Sequence, residues 1–299
     1  MNFNSNTTIL AVDIGGTKIA AALVDAVGQV QLRREVATVA DHADAITGRA
    51  LAVCRSVLQE AHAPGSTLQI NGIGIATGGD VDVVHGAIGY ATPLLPGWAG
   101  LPLRARFEAE FKHEISDIRV DNDGDCAALA EAIHGAGQSF SHVLTLIVGT
   151  GIGAGYVLNG EVLRGAHGGA LNPGQIMLPG TTRTYEDVIA SGALSRRYGQ
   201  SIQTIAAAVN VQAELPADIA NAAEQLGQLA ALCAAILDPN CVVIAGSILL
   251  LGERFLSRAQ LAFVQHARPP HQHFSLRTST LGANAGLIGA ACLFRSPLG

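Results

Sequence analysis

The segment Ile118-Arg-Val-Asp-Asn-Asp-Gly-Asp125 places three aspartates and an asparagine where a strand-like run gives way to a helix-forming one, Cys126-Ala-Ala-Leu-Ala-Glu131. Open α/β sheets hold their ligands at the C-terminal ends of strands. In that position the Asp123 carboxylate could take the proton from a substrate hydroxyl and orient its oxygen for attack. Asn122 could both donate to and accept from neighbouring hydroxyls. The same three residues, Asp121, Asn122 and Asp123, also read as caps for the following helix, where Asp and Asn are preferred. Spacing alone leaves these two readings level.

A second kind of chemistry lies in glycine-rich turns. Ile9-Leu-Ala-Val-Asp-Ile-Gly-Gly-Thr-Lys18 and Val143-Leu-Thr-Leu-Ile-Val-Gly-Thr-Gly-Ile-Gly-Ala-Gly155 each carry a buried-strand pattern into a glycine cluster, and an apolar run resumes beyond it. Glycines between two such runs read as tight hairpins. One such hairpin is simply a turn. Two of them, facing each other across a cleft, could hold a polyphosphate by their backbone N–H groups, because glycine lets the backbone approach closely. The second cluster is not a dinucleotide fingerprint, which needs a helix after the glycines. Here Tyr156-Val-Leu-Asn-Gly-Glu-Val-Leu163 reads as strand, Asn-Gly turn and strand. No Gly-x-x-x-x-Gly-Lys-Ser/Thr phosphate loop occurs either.

Composition bounds the rest. The 299 residues are 49% hydrophobic and 14% charged, which excludes a disordered chain and suggests two domains. A formal net charge of −6 without long runs of one sign argues against nucleic acid or an anionic membrane as partner. The longest apolar stretch, around Cys241 to Gly252, is too short to span a bilayer, and the start MNFNSNTT lacks the pattern of a secretory leader. Five scattered cysteines read as reduced thiols, placing the protein in the cytoplasm. There are 35 glycines and only two lysines, Lys18 and Lys112.

The elements that must position these groups alternate between strand and helix. Helical patterns run over Ala43–Ala61, Leu103–Lys112, Leu194–Tyr198 and Ala217–Leu237, and strands over Gln69–Ala76 and Asp117–Val120. A short strand in Asp238-Pro-Asn-Cys-Val-Val-Ile-Ala-Gly-Ser247 ends at Gly246, and a glycine-containing helical pattern covers Leu281–Ala291. This is an α/β chain whose two halves open on the same hairpin.

These segments, in order and over nearly the whole length, resemble the ROK family (repressors, open reading frames and sugar kinases) of the sugar kinase/heat-shock protein 70/actin superfamily. Asp13-Ile-Gly-Gly-Thr-Lys18 resembles its first phosphate motif, and Gly72-Ile-Gly-Ile-Ala-Thr-Gly-Gly-Asp-Val-Asp82 its sugar-side loop. Pro96-Gly-Trp-Ala-Gly-Leu-Pro-Leu103 is similar to its Gly-Trp turn, Asp121–Glu131 to its catalytic segment, Gly149–Gly155 to its second phosphate motif, and Asp238-Pro…Gly246 to its adenosine motif.

The resemblance implies two actin-like (ribonuclease H-like) domains with sugar and ATP in the cleft between them. It puts the boundaries at 1–120 plus a C-terminal helix 284–299 for the small domain, and 121–283 for the large one. It implies an ATP-dependent kinase acting on a hydroxyl, usually at C6, of a hexose, hexosamine or N-acyl hexosamine. Asp123 would be the general base. Gly78, Gly79, Asn122, Asn172, Gln175 and Glu186 would contact the sugar. Asp13 would sit by the Mg²⁺–phosphate group, with Gly15, Gly16, Thr17, Lys18, Gly149, Thr150, Gly151, Gly153 and Gly246 around the nucleotide. A homodimer is also implied.

Departures from the family pattern concern the substrate more than the reaction. Asn172 stands where a sugar-binding glutamate is usual, and Gln175 where a histidine that binds sugar and a structural zinc is usual. The companion cysteine hairpin is absent, since Gln175 is followed by Ile-Met-Leu-Pro-Gly-Thr-Thr-Arg-Thr-Tyr-Glu186. A structural zinc site takes about four N or S ligands, so no zinc site is expected. His167 reads as a surface or packing residue, and His271 and His273 as part of a polar loop. Leu94 replaces a common asparagine and Ala245 a common glycine. Two rival functions remain in view. A repressor would need an N-terminal helix-turn-helix, for which the first phosphate strand, starting at Thr8, leaves no room. A catalytically silent sugar-binding protein would fit the two altered sugar positions but not the retained Asp123.

Overall fold

The computed structural model describes residues 7–39, 42–63, 68–91 and 94–295. Most of the N-terminal stretch read for a leader, and the last four residues of the expected C-terminal helix, lie outside the described residues. Packing divides the chain into two units: Met1–His134 with Asn159–Ala170 and Ala283–Gly299, and Gly135–Leu158 with Leu171–Gly282.

The first unit is built on the glycine hairpin. Strands β1 (Thr8–Ile14) and β2 (Lys18–Asp25) pair antiparallel around Gly15-Gly16-Thr17, and β3 (Val30–Ala37) adds to β2. Helix α1 (Ala43–Ala61) leads to β4 (Ile70–Thr77), which pairs parallel with β1. A small hairpin, β5 (Asp80–Asp82) with β6 (Ala87–Tyr90), and helix α2 (Leu103–Phe111) come before β7 (Ile118–Asn122), parallel to β4. Helix α3 (Asp123–Ile133) starts directly at the end of β7.

The second unit repeats the plan. Strands β8 (His142–Val148) and β9 (Ile152–Leu158) form the second glycine hairpin. Asn159 and Gly160, both at positive φ (52° and 84°), turn the chain into β10 (Glu161–Val162), which is grouped with the first unit, as two central residues with φ > 0 do in a type I′ hairpin. Helices α4 (Tyr185–Ile189), α5 (Ser191–Tyr198), α6 (Ile202–Asn210) and α7 (Ala217–Leu237) precede β11 (Cys241–Ala245). Helix α8 (Gly252–His266) and β12 (Arg277–Thr278) follow, and α9 (Ala285–Cys292) returns to the first unit. The two sheets have matching orders, β3-β2-β1-β4-β7 and β10-β9-β8-β11-β12.

Each sheet has its own core. In the first unit Leu10, Val12 and Ile14 of β1 pack with Ile46, Val53 and Val57 of α1 and Phe107 and Phe111 of α2. Period-2 alternation sends the intervening residues, Ile9, Ala11 and Asp13, to the opposite face. That face is lined with small residues, and α9 lies close upon it. A Cβ at Gly74 of β4 would overlap the Ala290 carbonyl, and one at Gly289 would overlap the Cys126 carbonyl of α3. In the second unit Leu144, Leu146 and Val148 meet Leu226, Leu229, Phe255 and Phe263 of α7 and α8.

Helices α1 and α7 run as their apolar patterns predict, over 43–61 and 217–237. Two differences bear on the site. Strand β7 continues to Asn122 instead of stopping at Val120, because Asp121 finds a buried partner there, as described below. Residues 121–134 pack with the first unit, whereas the sequence places a domain boundary after residue 120; the physical reason is the contact of α3 with α9. All five cysteines are buried free thiols, and no helix among the described residues is long and apolar enough to cross a membrane.

The glycines that admit α9 make a stability prediction. Gly289→Ala must push α9 off the Cys126 carbonyl and should cost about 1–3 kcal/mol. A lowered urea midpoint with unchanged m-value reports it; an unchanged midpoint would show that the helix is not held this closely.

Candidate functional site

In the first unit, strand register assembles the acidic residues. Asp13 of β1 is level with Ala76 of β4, and Ala76 with Asp121 of β7. Ile14, Thr77 and Asn122 form the next row. The C-terminal ends of three parallel strands therefore bring Asp13, the Gly78-Gly79 loop and the start of α3 to one edge of the sheet. The Gly-Trp turn secures this edge: the indole Nε1 of fully buried Trp98 donates to Thr77 Oγ1 at 2.9 Å.

The four polar residues after Val120 then separate into distinct tasks. Asn122 is the cap: its Oδ1 accepts from the N–H groups of Gly124 (2.8 Å) and Asp125 (3.1 Å), while its Nδ2 donates to the Gly79 carbonyl at 2.8 Å. Asp121 is buried, accepts from Arg164 Nε at 3.0 Å, and takes the Asn122 N–H at 2.9 Å. Asp125 is buried as well, and burial, helped by Asp121, pushes its carboxyl up to about 7. Asp123 is left partly open. Its Oδ1 accepts the Gly124 N–H at 2.9 Å, and its Oδ2 looks toward Gly78, 3.8 Å from where a Cβ on that glycine would be. Burial raises the Asp123 carboxyl above the ordinary aspartate value. The two readings left level by the sequence are thus divided between neighbours, with Asn122 capping and Asp123 free for chemistry.

Asp13 has no hydrogen-bond partner among the described residues. Its Oδ2 lies against α9, 2.5 Å from the position of a Cβ on Gly286. Burial first, and Asp123 second, push its carboxyl up to about 7, against the opposing pull of Lys18 and Arg33. A mostly buried carboxyl whose side chain has no donor among the described residues, beside a second carboxylate, fits a divalent cation: the cation would supply the missing positive charge. Among the described residues no group of three or more His, Cys, Asp or Glu able to hold a metal is found.

Beside Asp13, the first glycine turn is closed by the Gly15 N–H to the Lys18 carbonyl (3.0 Å) and pinned by Thr38 Oγ1 to the Gly15 carbonyl (2.6 Å). The N–H groups of Gly16 and Thr17 stay unpartnered among the described residues. Gly16 packs against Leu94, and Lys18 Nζ sits 3.5 Å from Glu35. Two adjacent unpaired N–H groups make a small anion-binding concavity.

The second unit builds the corresponding turn. Gly149 N–H bonds the Gly151 carbonyl at 2.9 Å, leaving the N–H groups of Thr150 and Gly151 unpartnered among the described residues. Gly153 is exposed at the start of β9. Gly246, at φ 94°, ends β11 where a Cβ would overlap the Val148 carbonyl, so it lies against the end of β8. Glu186, near the start of α4, reaches back to this turn: its Oε2 accepts the Ile152 N–H at 2.8 Å, and only a glycine at 151 leaves it room. Gln175, ending a 3₁₀ turn at Pro173–Gln175, donates from Nε2 to Glu186 Oε1 at 3.4 Å. Asn172 is exposed, and its side chain makes no capping bond.

Between Gln175 and Glu186 the chain closes on itself through hydrogen bonds. Met177 bridges Thr184, Leu178 N–H bonds the Arg183 carbonyl at 2.8 Å, and Thr184 and Asp187 form a capping box at the start of α4. His167 is exposed. His271 departs from the polar-loop reading: it is buried and its Nε2 lies 2.7 Å from Asp238 Oδ1, while His273 is exposed.

Sequence reasoning missed Arg164, Trp98 and the buried Asp125. Arg164 is 43 residues from Asp121, and no spacing rule links them. Trp98, the sole tryptophan, was visible as part of a turn but not as the donor that holds Thr77.

Comparison with known proteins agrees with this geometry. The ROK family model matches residues 9–296. The chain is 28% identical to a glucokinase of Halalkalibacterium halodurans, covering 97% of this chain and 96% of that protein. It is 32% identical to an N-acetylmannosamine kinase of Shigella flexneri, covering 96% and 98%. A crystal structure of a ROK family glucokinase from Streptomyces griseus, in complex with glucose and AMPPNP, superposes with a TM-score of 0.79 at 26% identity, covering 96% of this chain and 98% of that one. With the motifs in order and two sheets of matching actin-like plan, the chain belongs to the ROK family.

Proposed function

We propose that this protein is an ATP-dependent sugar kinase in which Asp123 is the general base. The observation that carries the reading is the placement of Asp123: a carboxyl raised by burial, at the end of a parallel strand, with one oxygen held by a backbone N–H and the other free. A base whose pKa is lifted toward neutrality is better matched to a hydroxyl proton than an ordinary aspartate.

The free Asp123 oxygen takes the proton of a sugar hydroxyl, at C6 of a hexose or hexosamine, as that oxygen attacks the γ-phosphorus and the bond from phosphorus to the β–γ bridging oxygen breaks, releasing ADP. Asn122, Gly78 and Gly79 form the sugar side in the first unit, and Asn172, Gln175 and Glu186 offer polar groups in the second. The unpaired N–H groups at Gly16-Thr17 and Thr150-Gly151 bind phosphate oxygens, as Gly15, Gly149 and Gly153 leave the backbone accessible, and Gly246 lies by the adenosine. Lys18, engaged with Glu35, adds positive charge near the first turn. Asp13 would hold the Mg²⁺ that arrives with ATP, which would supply positive charge beside the phosphates. Positioning and charge stabilisation supply most of the catalysis in phosphoryl transfer. The hydrogen-bonded loop between Gln175 and Glu186 supports a second site that forms without zinc.

The test is ADP release with Mg-ATP across hexoses, amino sugars and N-acyl amino sugars. One or more sugars should be turned over, and Asp123→Asn should lower kcat by about 10²–10⁴ with little change in KM. Absence of sugar-dependent turnover, or an Asp123→Asn enzyme as fast as wild type, contradicts the assignment and favours a silent sugar-binding protein.

Gln175 also orients Glu186, through Nε2 to Oε1 at 3.4 Å. Gln175→Ala should raise the sugar KM roughly three- to tenfold, as expected for one lost hydrogen bond, and leave kcat nearly unchanged. A fall in kcat at constant KM would contradict the positioning role.

Asp13 makes a pH prediction. Its pKa rises on folding from 3.8 to about 7, so between those values the folded state binds more protons than the unfolded one. Its contribution to stability is therefore fully present below about pH 4 and is lost as pH rises through about 7. Asp13→Asn should be more stable than wild type at pH 8, lose that advantage by pH 4, and bind Mg-ATP poorly. A stability difference independent of pH would refute the assignment of strain to this carboxyl.

A further inference from the structure

A cavity of about 360 Å³ opens in the first unit at the free edge of β7, and Asp123 is not part of its lining. Its wall carries three arginines from three separate elements: Arg104 from α2, Arg119 from β7, and Arg164 beyond β10. Two of them are already matched by carboxylates. Arg119 lies in a fork on Asp117, with Nε at 3.1 Å and Nη2 at 2.9 Å, and its guanidinium stacks 4.6 Å over the Phe294 ring. Arg164 is held on Asp121. Arg104 has no carboxylate among the described residues. Its Nη1 and Nη2 donate to the carbonyls of Val84 (2.8 Å) and Val83 (2.7 Å), and its buried Nε has no partner. The lining therefore keeps one unit of uncompensated positive charge, on a guanidinium whose orientation is already set.

Arg119 Nη1 also donates to the Leu293 carbonyl at 2.7 Å, and Arg164 Nη1 to the Val162 carbonyl at 3.3 Å. A guanidinium has five N–H donors, so each of the three retains donors beyond these bonds. Planar forks converging from several directions suit a tetrahedral dianion, which accepts on every side, better than a carboxylate, which offers one bidentate face. The volume falls within the range of small-molecule pockets and exceeds what a bare ion fills.

We propose that this cavity binds a phosphate group, as a sugar phosphate monoester or as inorganic phosphate, with Arg104 as the principal anchor and Arg119 and Arg164 as supporting donors. The lining includes none of the residues assigned to phosphoryl transfer, so the site does not depend on the kinase reading.

The test is calorimetric titration of the full-length protein with inorganic phosphate, hexose 6-phosphate, hexose 1-phosphate and the neutral hexose. Wild type should bind at least one phosphate compound. Arg104→Met should weaken that binding about tenfold or more, in line with loss of a charge-assisted hydrogen bond, and Arg104→Lys should fall between. Tighter binding of an ester than of inorganic phosphate identifies the sugar phosphate as the ligand, and the reverse identifies the free ion. Arg104 also holds two carbonyls, so Arg119→Gln serves as a second variant should Arg104→Met fail to fold, and it too should weaken binding. Equal affinity in wild type and folded variants places the phosphate elsewhere and overturns the proposal, as does the absence of binding to wild type. Because the readout is affinity and not turnover, failure here leaves sugar phosphorylation untouched.

Discussion

The structure of the first unit turns on the concentration of carboxylates at the ends of three parallel strands. Parallel register stacks Asp13, Ala76 and Asp121 in one row, and Asp123 and Asp125 follow within one turn of helix. Buried charge is costly unless it is paired. Among the described residues Arg164 alone pairs with this group directly, and it is committed to Asp121. The remainder meet the cost by shifting: Asp13 and Asp125 rise to about 7, and Asp123 rises too. An acid held between charged and neutral suits proton transfer, and an acid with no donors suits a cation. One electrostatic constraint thus accounts for both the base and the metal position proposed above.

Glycine makes the constraint possible to build. At Gly74 and Gly289 its missing side chain lets α9 settle on the sheet and on α3, closing the face that carries Asp13. At Gly151 it leaves room for the Glu186 carboxylate against the second turn. In both hairpins it frees pairs of backbone N–H groups. The Gln175–Glu186 segment is closed by a β-bridge and by the Thr184–Asp187 capping box.

Much of this was legible in the sequence because it is local. Asn-Gly at 159–160, the glycine clusters at 15–16 and 149–153, and the long apolar periodicity of α1 and α7 depend on neighbours along the chain. The end of β7 was not legible. Asp121 reads as a strand terminator, yet it lies in the ladder, because an arginine far along the chain neutralises it. Trp98 and Thr77, and the burial of His271 beside Asp238, escaped for the same reason: each is a contact made only by the fold. The level choice between cap and catalyst at Asp121–Asp123 could be settled only by side-chain geometry, which assigns the cap to Asn122.

The central claim is that the carboxylates of the first unit are short of positive charge and that Mg-ATP supplies it. Proton exchange on binding measures this directly. Calorimetric titration with Mg-ATP at pH 6.5, repeated in buffers of different ionisation enthalpy, should show net proton release as Asp13, with a pKa of about 7, ionises to meet the cation, and Asp13→Asn should abolish it. Binding of Mg-ATP with no proton release, or release that persists in Asp13→Asn, would contradict the account.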